Sequence, residues 1–162
     1  MGKPRKLTKH TMPRHVRALC QQCGHMAHAY NVGGMPPARD REGGFRTLLR
    51  IIVDQQISVH AGAAIWAKLE KRLTDITAAH VLAVQEHTLQ ECGLSGQKIR
   101  YARELAKAIR TGDLDLEALH KLDDDTATAQ LTQVKGVGTW TAEVYLMFAM
   151  GRPDIMPAGD LA

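Results

Sequence analysis

A two-glycine turn, an indole and a carboxylate carry the chemistry open to this sequence. Leu131 to Asp160 reads LTQVKGVGTWTAEVYLMFAMGRPDIMPAGD. Gly136-Val137-Gly138 closes one helical segment and opens another. A turn of that kind aims backbone N–H groups at a helix start, where a phosphate can sit. Trp140 adds an aromatic face two residues on. Asp160 lies twenty residues past Trp140, beyond a Pro-marked loop that could fold back and bring its carboxylate beside the indole. Asp154 is a competing acid on the same loop, and residue types alone do not choose between the two. A phosphate seat, an aromatic platform and one acid point to chemistry on a nucleotide within DNA.

Each of these signals also has a plainer reading. Two glycines between helices often make only a turn. If they do more, they permit backbone angles that a β-carbon forbids, and the carbonyls of Val134 and Gly136 could face outward to hold a monovalent cation that bridges to the DNA backbone. Trp140 is either a core residue at a helix start or a pocket wall. Tyr145 likewise faces either the pocket or the core.

The elements that must position these groups read as helices throughout. Residues 13–30 read as one continuous helix, followed by a Gly- and Pro-rich loop over 31–44. Phe45, Leu48, Leu49, Ile52 and Val53 recur at the spacing of one buried helical face. A further helix carries Ala63, Ile65, Trp66, Leu69 and Leu73. Short helices are expected over 77–84 and 87–92. Ser95 is placed to cap a helix over 96–110, which Gly112 ends. Leu114–Leu122 reads as another short helix, and Asp123 to Thr126 supplies acids and caps for the next start. Helices over 126–134 and 139–150 flank the glycine turn. No segment alternates as a strand would, so the expected fold is an all-α bundle of short helices.

Composition narrows the setting. The chain has 162 residues, enough for one domain with a core. Its net charge is +4, yet Lys3, Arg5, Lys6, Lys9, Arg14 and Arg17 place the basic excess in residues 1–17. The remainder holds 15 basic and 17 acidic groups. Residues 1–17 therefore read as a flexible basic arm that could neutralise phosphates. No secretory leader and no membrane-length apolar run is visible. Three cysteines without a pairing pattern fit a reducing interior, cytoplasmic or nucleoid-associated. Cys20, Cys23, His25 and His28 have metal-like spacing, but within one continuous helix they read as packing residues.

The segment LTQVKGVGTWTA resembles the helix-hairpin-helix of DNA repair glycosylases. FRTLLRIIVDQQIS (45–58), CGLSGQKIRYARELAKAI (92–109) and IMPAGDLA (155–162) extend the resemblance in the same order as in that superfamily, over roughly residues 43–162. The branch most similar is the DNA-3-methyladenine glycosylase II type. This likeness implies a helical glycosylase domain over 18–162, shorter at its C-terminal end than relatives that continue with further helices. It implies Asp160 rather than Asp154 as the catalytic carboxylate, and Trp140 and Tyr145 in the base pocket. It puts Gln55, Gln56, Lys98, Lys135, Gly136, Val137, Gly138 and Thr139 on the DNA. Gln55, Gln56 and Ile57 fall where the superfamily inserts a wedge side chain; an aliphatic wedge is commoner in this branch, and Ile57 could instead pack in the core. Bifunctional members have a Lys at the position of Trp140, so a monofunctional enzyme is implied.

The implied reaction removes alkylated purines from double-stranded DNA by base flipping and aspartate-assisted attack of water. A monomer is expected. No cofactor is required, any cation at the hairpin being structural, and no Cys lies beyond Cys92 to build the iron–sulfur cluster of some relatives. The alternative is a non-catalytic helix-hairpin-helix module that only binds DNA.

Overall fold

The structure, a computed structural model, describes residues 6–38 and 41–160. Among the described residues there are nine α-helices and no strand. The fold is all-α, and none of these helices is long and apolar enough to cross a membrane.

Helix α3 (Phe45–Asp54) is the central element. Its apolar residues Leu48, Leu49, Ile51, Ile52 and Val53 are buried, and Phe45 at its start is half-buried. It packs against α4 (Val59–Leu73), α7 (Gly96–Thr111) and α9 (Thr139–Phe148). Short helices α5 (Ala78–Ala83) and α6 (Glu86–Glu91) pack on α7, and α8 (Asp124–Thr132) packs on α9. The caps follow the sequence: Ser58, Thr77, Ser95 and Asp123 each accept a backbone N–H of the first turn they precede. Gly112 ends α7 in the left-handed conformation.

Three expectations are corrected. The continuous helix over 13–30 is two helices, α1 (Met12–Gln22) and α2 (Gly24–Gly33), separated at Cys23. Cys23 is extended, and the glycine after it is a poor helix former, so the chain turns there. The flexible arm over 1–17 does not reach Arg17. Residues 12–17 belong to α1, and the N–H of Leu7 donates to the carbonyl of Gly151 at 2.6 Å. Residues 1–5 of that arm lie outside the described residues. The helix over 114–122 is only a 3-10 turn, Ala118–Lys121. The Asp115 carboxylate accepts the N–H groups of Glu117 and Ala118, and that local turn competes with helix formation.

Between α9 and Asp160 the chain runs as a loop. Arg152 is buried at 3% exposure, with its guanidinium donating to the carbonyl of Leu119 and paired with Asp124 at the start of α8. A buried guanidinium with both partners satisfied anchors the first part of that loop to the bundle.

Candidate active site

A cleft of about 810 Å³ opens where α3, α7, the hairpin and the end of the aspartate loop meet. Trp140 and Asp160 both line it, together with Gly136, Val137 and Gly138. Lys98 and Lys135 line it as well, so Asp160 is an acid within a basic rim. Asp154 is exposed and does not border the cleft.

The hairpin is held from beneath. Gly136 has φ +96, and a Cβ there would come within 2.2 Å of the Tyr101 ring. Glycine is required at this position for both reasons. Gly138 is different: at φ −84, ψ 175 it is extended backbone open to any residue, and nothing lies near its missing Cβ. The expectation that both glycines supply forbidden angles therefore holds only for Gly136. Gly138 is the N-cap of α9 and has no side chain to cap it, so the first-turn N–H groups have no side-chain cap. Val137 is buried, and its N–H closes the turn on the Val134 carbonyl at 2.9 Å. Any role of Val137 on DNA is thereby limited to its backbone.

Gln55 and Gln56 divide the work expected of them. The Gln55 amide donates to the Gly136 carbonyl at 3.0 Å and to the Thr141 hydroxyl at 2.8 Å. It ties the end of α3 to both sides of the hairpin. Gln56 is exposed beside the cleft with φ +54, a left-handed conformation uncommon for a residue with a β-carbon. Ile57 is half-buried beside Gly62 of α4 and is absent from the cleft wall.

The two carbonyls expected to hold a cation, those of Val134 and Gly136, each accept one donor within the fold. The Gly136 carbonyl accepts from Gln55, and the Val134 carbonyl accepts from Val137. Among the described residues no cluster of three or more His, Cys, Asp or Glu is arranged to hold a metal ion.

Tyr145 is removed from the pocket set. It is 1% exposed, and its hydroxyl accepts the N–H of Gly44, the residue before α3. Burial raises its pKa, only partly countered by the Gly44 bond. The helical spacing that carries Trp140 at the start of α9 turns Tyr145 inward. Lys98 is half-buried on the cleft wall, where its Nζ donates to the Val53 carbonyl near the end of α3. Desolvation lowers its pKa, with Asp54 acting in the opposite direction. Lys135 and Thr139 stay exposed at the hairpin.

Gln97, Tyr101, Thr132, Thr141 and Gly159 also line the cleft and lay outside the sequence expectations. Gln97 and Tyr101 lie one turn apart on α7, and the Gln97 amide donates to the Tyr101 hydroxyl. Their spacing of four, off the apolar stripe of Ile99, Ala102 and Ala106, was the available signal. The Trp140 ring packs partly on the core, and its Nε1 is buried without a hydrogen-bond partner among the described residues.

Residues 49–162 match the HhH-GPD superfamily base excision DNA repair proteins. The DNA-3-methyladenine glycosylase 1 of Schizosaccharomyces pombe is 29% identical over 137 residues, which cover 81% of this chain and 60% of that protein. The chain thus spans somewhat less than two thirds of that relative. A DNA-3-methyladenine glycosidase from Bacillus halodurans superposes with a TM-score of 0.79 at 29% identity, over 90% of this chain and 68% of the other. The S. pombe 3-methyladenine DNA glycosylase, solved in complex with abasic DNA, superposes with a TM-score of 0.73 at 30% identity, over 82% of this chain and 68% of the other.

Proposed function

This chain belongs to the HhH-GPD superfamily of base excision DNA repair proteins, and on that premise we propose that it is a monofunctional DNA glycosylase acting on alkylated purines. Its substrate is double-stranded DNA carrying an N3- or N7-alkylated purine, which it meets as a monomer inside the cell. The observation that supports this reading is the shared cleft of Asp160, Trp140 and the Gly136–Gly138 hairpin.

The cleft volume is in the range of small-molecule pockets, about 300–1,000 Å³, and suits one extruded nucleotide. A base stacked in a duplex is out of reach of a protein carboxylate, so the nucleotide must be rotated out. Gln56, exposed at the cleft rim, is the side chain to fill the vacated space. The first-turn N–H groups of α9, with Lys135 and Thr139, hold a backbone phosphate. Lys98 adds positive potential while it fixes the end of α3.

Breaking the N-glycosidic bond places positive charge on the sugar. The Asp160 carboxylate stabilises that charge and orients the attacking water. The departing purine is already cationic, so no strong acid is needed on its side. The Trp140 face attracts such a cation, worth about 0.5–2 kcal/mol depending on desolvation. Water is the only co-reactant, and no step passes through a cofactor or a cation. With an indole in place of an amine at position 140, no Schiff base forms there, and strand cleavage by β-elimination is not expected.

The test is base release from duplex DNA carrying N7-methylguanine or N3-methyladenine, at protein excess. Asp160→Asn should slow release by about 100- to 1,000-fold while duplex binding persists. Equal release by both proteins would remove Asp160 as catalyst. Salt-dependent binding by wild type with no release at all would select the non-catalytic DNA-binding module.

A further inference from the structure

The aspartate loop leaves the bundle at Gly151, and that residue is where the N-terminal segment crosses it. Gly151 is buried with φ +67. A Cβ on it would lie 2.6 Å from the Leu7 carbonyl oxygen and 2.9 Å from the Lys6 Cγ. The Leu7 N–H donates to the Gly151 carbonyl at 2.6 Å. Two backbones are thus in direct contact, and only glycine admits that approach. Thr8 and Thr11 bond to one another and to nearby backbone, which stiffens the link from Leu7 to α1. The next residue, Arg152, is buried and bonded to Leu119 and Asp124.

Residues 151 and 152 are therefore held by two separate sets of contacts. Asp160 follows eight residues later, and its own N–H donates to the Pro157 carbonyl at 3.0 Å. The stretch that carries it starts at the contacts of residues 151 and 152.

We propose that the Lys6–Leu7 segment is a positioning clasp for the aspartate loop: the Leu7 N–H, through the Gly151 carbonyl, sets the path by which Asp160 reaches the cleft. Leu7 is a positioning residue and touches no reacting atom. The clasp depends on backbone groups and a missing Cβ. It is separate from any attraction of the basic residues for DNA, and it rests on the glycosylase reading only for its rate consequence.

Leu7→Pro removes the donor and leaves every charge in place. Leu7→Ala keeps the donor. Single-turnover release of N7-methylguanine at saturating full-length protein, duplex affinity, and amide hydrogen exchange over residues 150–160 are read for each. Leu7→Pro should lower the saturated rate by about 10- to 100-fold, leave affinity and its salt slope unchanged, and speed exchange over the loop. Leu7→Ala should behave as wild type in all three. Gly151→Ala, which pushes the two backbones apart from the other side, should repeat the Leu7→Pro pattern and decides the matter if the proline variant does not fold. Unchanged loop exchange in a folded Leu7→Pro or Gly151→Ala protein overturns the clasp, as does a loss confined to duplex affinity. If wild type releases no base, the glycosylase reading fails, and the exchange result still decides the clasp.

Discussion

The hairpin and the aspartate loop face the same cleft but are built in opposite ways. The hairpin is locked from beneath: Tyr101 packs where Gly136 lacks a side chain, Gln55 bonds to both arms, and Val137 is buried. The aspartate loop is anchored where it begins, at Gly151 and Arg152, and runs to Asp160 through residues that are exposed or half-buried. A phosphate seat works best when its N–H groups are preorganised, because no reorganisation is then needed on binding. A carboxylate that must approach a nucleotide after it has been extruded can instead sit on a segment with few contacts.

The largest expected break of this contrast comes from the hairpin. Gly136→Ala combines a left-handed φ with overlap on Tyr101, and about 2–5 kcal/mol of stability should be lost, measured by urea denaturation. Gly138→Ala, two residues away, should stay within about 0.5 kcal/mol of wild type. Equal effects at the two positions would show that the hairpin is not held as described. Trp140→Ala tests the wall that the two regions share. It should reduce release of cationic bases by roughly the 0.5–2 kcal/mol of a cation–π contact, and release of a neutral lesion less; an equal loss on both would return Trp140 to a packing role. Gln55→Ala should cost about 1–2 kcal/mol for the hydrogen bonds it removes from the Gly136 carbonyl and Thr141. Hydrogen exchange should rise in the hairpin and not in the aspartate loop.

Much of the helical framework was legible because its signals are local. The apolar period of α3 and the caps Ser95 and Asp123 act within a few residues of themselves, and the structure keeps them. Where local signals conflicted, the reading failed. The apolar spacing over 13–30 continued through Cys23-Gly24, although the backbone does not. Asp115 captured N–H groups that a longer helix over 114–122 would have used otherwise. At the site, Gly136-Val137-Gly138 could be recognised as a turn, but not which glycine was indispensable. That depends on Tyr101, 35 residues earlier in the chain.

The sequence by itself determined the all-α character, the hairpin, and the presence of an indole and a carboxylate downstream of it, since residue type and helical period carry that information along the chain. The tertiary structure alone decided that Gln55 supports the hairpin, that Tyr145 belongs to the core, that the Val134 and Gly136 carbonyls answer donors inside the fold, and that Asp160 borders the cleft while Asp154 does not. The reason is physical. Each of those outcomes is a competition for a partner between groups far apart in the chain, and only the packed molecule fixes which of them come within hydrogen-bonding or van der Waals distance.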